Sequence, residues 1–161
     1  MNKEIILKRS TGSNPDFIEN CALKEIDLEK RLSKEKSDIK PDELTINKNY
    51  EDIKNVVIAY IGDTAVGSGA IMKYEYDDVP DATELKRLFV KTEFQGNGIG
   101  TKITNELILW AKELGYKNII LETADFLKEA CHIYYKLGFE KIDNYTPYIS
   151  EKESLCMKKT L

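Results

Sequence analysis

The order of apolar segments predicts a mixed α/β fold of the α+β type: antiparallel strands first, a parallel pair in the middle of the sheet, and flanking helices. Three observations predict it. Strand-like runs at 55–61, 65–76 and 83–90 follow one another with only turns between them, as antiparallel neighbours do. A helical period then separates two further strand-like runs, and a crossover of that kind joins parallel strands. At 161 residues the chain is most simply one domain over 1–161, long enough for a core and a ligand cleft.

Each element carries its own signal. "EIILKR" (4–9) reads as an opening strand. Phe17, Cys21, Leu28 and Leu32 then recur near helical spacing, with charges between them, up to about Lys36. Asn14, directly before Pro15, is placed to cap that helix. Residues 37–54 are polar, aperiodic and interrupted by Pro41, so a surface connection with room for a helical turn is expected. "NVVIAYI" (55–61) is β-branched and ends at Gly62-Asp63, a turn signal, and "AVGSGAIMKYEY" (65–76) returns as its partner. The acidic loop "DDVPD" leads into a third strand, "TELKRLFV" (83–90). Ile99, Ile103, Leu107, Trp110, Ala111 and Leu114 line one side of a helix that Gly115 stops. "NIILET" (118–123) reads as a buried strand, and "LKEACHIYYKL" (127–137) as a helix stopped by Gly138. "FEKI" and "SLCMKK" close the chain as strands.

Composition narrows the function. Apolar residues at 42% and charged residues at 32% are ordinary for a soluble globular protein. A net charge of −4 argues against nucleic acid as the main partner. No apolar run approaches the ~20 residues of a membrane span, so no membrane partner is expected. "MNKEIILKRS" offers only "IIL" as an apolar stretch, so no secretory signal is expected. Cys21, Cys131 and Cys156 lack a Cys-x-x-Cys pair, and buried free thiols in a reducing cytoplasm are the expectation. His132 is the lone histidine and reads as a helix-surface or partly buried residue. With no Cys/His/Asp cluster at ligand spacing, no metal is expected.

The sharpest local feature is "QGNGIG", Gln95 to Gly100, at the entrance of the 99–114 helix. Unpaired N–H groups at a helix start, together with the helix dipole, make an anion site. A dinucleotide loop would need G-x-G-x-x-G, whereas these glycines run G-x-G-x-G at 96, 98 and 100. A P-loop would need Gly-Lys-Ser/Thr, whereas Gly100-Thr101-Lys102 has the order reversed. A glycine turn that binds nothing would leave three glycines at a helix entrance without a use.

"Gln95-x-x-Gly98-x-Gly100" after a strand ending in Val90 resembles the Q/R-x-x-G-x-G/A signature of the GCN5-related N-acetyltransferases (GNAT). "ELKRLFV" is similar to that family's fourth strand and "NIILET" to its fifth, while "IYYKLGF" resembles its usual "LYEKLGF". The likeness covers roughly residues 55–160 and is nearest to a subgroup of small bacterial members. It implies a GNAT-like sheet whose fourth and fifth strands splay apart around acetyl-CoA as cosubstrate. Gln95, Gly96, Asn97, Gly98, Ile99, Gly100 and Thr101 would form the pyrophosphate loop. The pantetheine arm would pair with the backbone of Leu88, Phe89 and Val90, and the Leu88 N–H would stabilise the thioester oxyanion.

The implied reaction is direct acetyl transfer to a primary amine in a ternary complex, which needs a base for the ammonium and is helped by an acid for the departing thiolate. Glu84 is similar in placement to the base of histone-type members, and Glu122 to one used by ribosomal-protein acetyltransferases. Each is also readable as a strand carboxylate paired with Lys86, Arg87 or solvent, Glu122 more so than Glu84. Four strand residues, about 13 Å, separate Glu84 from Leu88, so Glu84 would act through water or across a bulge that shortens the path. Tyr134, four residues before Gly138, stands where the family places the tyrosine that protonates the CoA sulfur; Tyr135 lies about 100° away around the helix. Leu127 departs from the family's usual Asn seven residues before that tyrosine. Direct transfer leaves Cys131 unnecessary as a nucleophile. Glu75, Asp77, Asp78 and Asp81 either attract a cationic amine or form a solvated loop, and Tyr145, Pro147 and Tyr148 either shape an acceptor pocket or pack it. The acceptor is a small-molecule or peptide amine, and a homodimer is compatible with the sequence. The competing class is a non-catalytic acyl-CoA-binding sensory or interaction module; a nucleotide-binding protein is disfavoured by the glycine spacing.

Overall fold

The architecture is taken from a computed structural model, described over residues 4–35 and 50–161, with backbone alone for 31–35. The side chain of Leu32 and most of the expected 37–54 connection lie outside that description. The end of that connection, Tyr50–Asp52, is a short 3-10 turn.

Seven strands form one sheet: β1 (Ile5–Ser10), β2 (Asn55–Ile61), β3 (Thr64–Lys73), β4 (Ala82–Val90), β5 (Asn118–Ala124), β6 (Glu140–Ile142) and β7 (Ser154–Thr160). Their order is β1-β2-β3-β4-β5-β7-β6, so the last strand inserts between its two predecessors. Among the described residues β4 and β5 alone pair in parallel, which is the predicted switch in the middle of the sheet. The expected strand over 65–76 ends earlier, at Lys73. Tyr74 N–H still bonds to the Ala82 carbonyl, but the chain then turns away because the Tyr74 hydroxyl holds Asp78 at 2.6 Å.

Among the described residues three helices cover the sheet: α1 (Pro15–Glu35), α2 (Ile99–Glu113) and α3 (Lys128–Lys136). α1 begins as anticipated, with Asn14 Oδ1 accepting the Asp16 N–H at 2.9 Å and Pro15 in the first turn. Phe17 and Cys21 of α1 pack on Val56, Ile58 and Ala70 from one face of the sheet. Full burial of a side chain such as Phe17 contributes about 1.5–3 kcal/mol. On the other face, Ile99, Ile103, Leu107 and Ala111 of α2 and Cys131 and Tyr134 of α3 meet Val57, Leu85, Ile119 and Leu121 in the main core.

Arg9 of β1 ties α2 down from outside, bonding to Glu106 at 3.0 Å and Glu113 at 2.6 Å while stacking on Trp110 at 4.7 Å. Such exposed pairs are worth ~0–1 kcal/mol each, so the apolar face rather than this clasp holds α2 in place. No described helix is long and apolar enough to cross a membrane.

Candidate active site

The candidate site lies where β4 and β5 part. Their pairing is confined to Ala82, Thr83 and Glu84 against Asn118, Ile119 and Ile120. Beyond Glu84, β4 pairs only with β3, and beyond Ile120, β5 pairs only with β7. A bulge bends β4 away: Ser68 faces Phe89 and Ala70 faces Lys86, so two steps on β3 answer three on β4. Arg87 takes up the extra length at φ +64°, an uncommon conformation for a non-glycine residue. The bulge falls between Glu84 and Leu88, so of the two routes expected for Glu84, through water or across a bulge, the backbone provides the second feature. Phe89 and Val90 are therefore paired with β3 alone, Leu88 stands in the bulge without a register partner, and β5 pairs with none of the three.

One end of the slot is the glycine loop. Gly96 at φ +83° and Gly98 at φ +77° adopt left-handed conformations that a side chain disfavours. Gly98 is the N-cap of α2 and supplies no side chain to it, and the first intrahelical bond runs from Lys102 N–H to the Gly98 carbonyl. The N–H groups of Ile99, Gly100 and Thr101 thus point out of the helix end without a capping side chain. A Cβ on Gly96 or Gly98 would meet nothing within 4 Å, so both glycines face open space. Gly100 differs: its Cβ would lie 2.7 Å from Ile133 Cδ1, so this glycine permits α2 and α3 to touch. Gln95 and Asn97 use their amides to fold the loop, Gln95 Nε2 donating to the Val90 carbonyl and Asn97 Nδ2 to the Phe94 carbonyl, each at 3.0 Å.

The two candidate carboxylates share the α1 side of the sheet. Glu84 is in register with Ile120, and Glu122 stands two residues on, so both project to the same face. Glu84 is buried, with 8% of its surface exposed. The Tyr145 hydroxyl donates to Glu84 Oε2 at 2.7 Å, and Lys86 Nζ lies 3.5 Å from Oε1. Glu122 Oε2 accepts from Ser154 Oγ at 2.7 Å. Burial pushes the Glu122 carboxyl above its ordinary value, against the Ser154 hydrogen bond; nearby Glu84 raises it further, and Lys24 and Lys86 oppose. Glu84 thus has the Lys86 partner expected of a strand carboxylate, and a hydrogen bond from Tyr145 besides.

Tyr134 projects from α3 into the main core, buried and edge-on to Phe139 at 5.7 Å. Burial pushes its hydroxyl well above the ordinary tyrosine value, helped by Cys131 and by the charge of Glu122, so it keeps its proton at neutral pH. Tyr135 is 53% exposed, as the helical offset required. Leu127 is the N-cap of α3 and provides no side-chain bond there. The thiols of Cys131 and Cys156 are pushed up by burial, all three cysteines are buried outside any disulfide, and His132 is exposed.

Glu84 and Glu122 thus share one face of the sheet beside the parted strands, and Tyr134 lies on the other face, in the core under α3, near enough to Glu122 to feel its charge. The acidic loop is different. Asp78 accepts from the Tyr74 hydroxyl at 2.6 Å and the Thr146 N–H at 2.8 Å, which ties it to the segment before β7. Sequence reasoning missed two partners. Tyr145 and Ser154 meet the carboxylates from 61 and 32 residues away, Ser154 through the pairing of β7 with β5 and Tyr145 from the segment between β6 and β7. The pair Tyr145 and Tyr148 flanking Pro147 was the one available signal.

Residues 22–139 match the family model described as "Acetyltransferase (GNAT) family". Over 87 residues the chain is 37% identical to YjgM, an uncharacterised N-acetyltransferase of Escherichia coli K12, the match covering 54% of this chain and 51% of that protein. The chain spans about half the length of the curated relatives it matches first. A Klebsiella pneumoniae protein assigned as an acyl-CoA N-acyltransferase shares the fold at a TM-score of 0.76, with 21% identity and 99% of both chains covered. The PaiA N-acetyltransferase of Thermoplasma acidophilum, solved in complex with coenzyme A, superposes at 0.71 with 17% identity, over 98% of this chain and 99% of its own.

Proposed function

Since this chain belongs to the acetyltransferase (GNAT) family, we propose that it transfers an acetyl group from acetyl-CoA to a primary amine of a small molecule or peptide, by direct attack in a ternary complex. The observation that carries this reading is the open edge of β4. It runs from the uncapped start of α2, on one side of the sheet, to a pair of carboxylates on the other.

Acetyl-CoA supplies an acyl thioester with a good leaving group. The N–H groups of residues 96–101 are the anion site for its pyrophosphate, where the helix dipole adds to their effect. The free edge of Leu88, Phe89 and Val90 offers backbone partners to an extended amide chain, as an added strand would use them. The Leu88 N–H is assigned to the oxyanion that develops during attack, a contribution of about 2.7–4 kcal/mol in preorganised sites.

An alkyl ammonium has a pKa near ~10.4, so only about one in a thousand is a free nucleophile at pH 7. Glu84 is assigned the task of removing that proton, because its carboxylate is held by two donors beside the opening. Glu122 is the second candidate on the same face. Tyr134, protonated and on the opposite side of the slot, is assigned to the thiolate sulfur.

The test has two stages. Thermal unfolding is followed with acetyl-CoA, CoA, ATP and NAD in parallel; a ligand at a hundred times its dissociation constant adds about 2.7 kcal/mol. Stabilisation by the two CoA species alone is expected. Free thiol is then measured with a panel of amino acids, polyamines, an aminoglycoside and peptide N-termini. Binding without thiol release across the panel would mark a non-catalytic module, and stabilisation by ATP or NAD alone would overturn the reading.

A further inference from the structure

We infer that Tyr145 is a positioning residue that holds Glu84 in the catalytic cleft, and that the acidic loop before β4 anchors it. The inference rests on the assignment of Glu84 as the base. A carboxylate that is 8% exposed is strongly disfavoured unless donors satisfy it, and Tyr145, itself 1% exposed, provides the shorter of its two contacts. The Lys86 contact is longer, at 3.5 Å, and its side chain is 38% exposed, so it restrains Glu84 less. With Oε2 engaged by Tyr145, Oε1 is left to the longer Lys86 contact and to an incoming proton donor.

Tyr145 is in turn immobilised on several sides. Its ring stands edge-on between Tyr74, at 5.1 Å, and Tyr148, at 5.6 Å. Its carbonyl accepts the Tyr148 N–H at 2.6 Å, and Asn144 Nδ2 donates to the Tyr148 and Glu151 carbonyls at 3.1 and 3.0 Å. Asp78 closes the arrangement by accepting from the Tyr74 hydroxyl and the Thr146 N–H. The Tyr74 hydroxyl also lies 2.7 Å from the Thr146 carbonyl, so Tyr74, Asp78 and Thr146 form one knot directly behind Tyr145. The acidic loop therefore acts on the reaction through structure, and Asp78 is spoken for as an anchor instead of a trap for cationic amines.

The experiment is a double-mutant cycle on turnover, using the fastest amine of the panel or, if none is turned over, slow thiol release to water, whose attacking molecule must also lose a proton. Tyr145→Phe should lower kcat at least tenfold per folded molecule with KM for acetyl-CoA within twofold. In a Glu84→Gln background the same change should alter kcat less than twofold, because the group it positions is gone. Unchanged kcat in Tyr145→Phe, or effects that multiply in the double variant, would overturn the positioning role while leaving Glu84 as base. Unchanged kcat in Glu84→Gln would overturn the base assignment and the positioning role with it. Should Tyr145→Phe fail to fold, Asp78→Ala is measured: a loss of kcat of about threefold or more at unchanged KM for acetyl-CoA supports the anchor, and unchanged kcat overturns it.

Discussion

Burial acts on Tyr134 and Glu122 in the same direction and with opposite consequences. For a phenol it secures the proton, so Tyr134 arrives at the reaction as a donor. Tyr134→Phe should lower turnover roughly tenfold or more while leaving the thermal shift with acetyl-CoA intact, since the ring and its packing survive. Equal turnover would remove Tyr134 as the acid. For a carboxyl, burial stabilises the protonated form in the native state. Below the ordinary carboxyl value near ~4.3, folded and unfolded chains both hold the proton and nothing is lost. As pH rises from there to the raised native value, the unfolded chain gives up its proton first and stability falls, until the folded protein too carries a carboxylate that burial disfavours. Glu122→Gln, neutral throughout and still able to accept from Ser154, should therefore gain melting temperature over the parent at pH 8 and match it at pH 4. A gain of the same size at both values would mean that the substitution acts through packing.

At the scale of elements, the glycine loop combines two demands that look alike in the sequence. Gly96 and Gly98 satisfy backbone conformation and leave the space before them open, whereas Gly100 satisfies contact between helices. Their substitutions should separate cleanly. Gly98→Ala places a methyl group in the open space and forces a left-handed alanine, at a cost of about 1–2 kcal/mol. Its larger effect should be a loss of stabilisation by acetyl-CoA; normal stabilisation in a folded variant would take the pyrophosphate away from this loop. Gly100→Ala overpacks the α2–α3 contact and should cost about 1–3 kcal/mol in denaturant unfolding. Ile133→Val removes the Cδ1 atom that the new methyl meets, and should restore part of that loss when combined with it. An additive pair would show that the crowding lies elsewhere.

The whole molecule is a sheet joined along its length except at one place. From β1 through β4 every strand has its neighbour, and β5, β7 and β6 form a second antiparallel group. Within the sheet, three residue pairs at the start of β4 and β5 join the two groups. The opening costs the backbone bonds that a full parallel ladder would have made, and the N–H groups of the freed edge are left to water or ligand. Amide hydrogen exchange should show this directly. Amides of residues 85–90 and 121–124 on the slot edge should exchange faster than those between β2 and β3, and should slow on addition of acetyl-CoA. Uniform protection of β4 without ligand would contradict the parted strands.

Local rules determined much of this protein before any tertiary contact was known. The cap at Asn14, the helix started by Gly98 and ended by Gly115, the strand runs and the switch to parallel pairing all follow from residues close in the chain, whose periodicity and turn chemistry act over a few positions. The glycine spacing likewise separated this loop from dinucleotide and P-loop types. Tertiary structure decided the rest. The insertion of β7 between β5 and β6, the bulge at Arg87 and the meeting of Tyr145 with Glu84 depend on register between strands distant in sequence. The sequence could place Glu84, Glu122 and Tyr134 on their elements. Which atoms they face is set by how strands slide and twist against one another, and no short stretch of the chain records that.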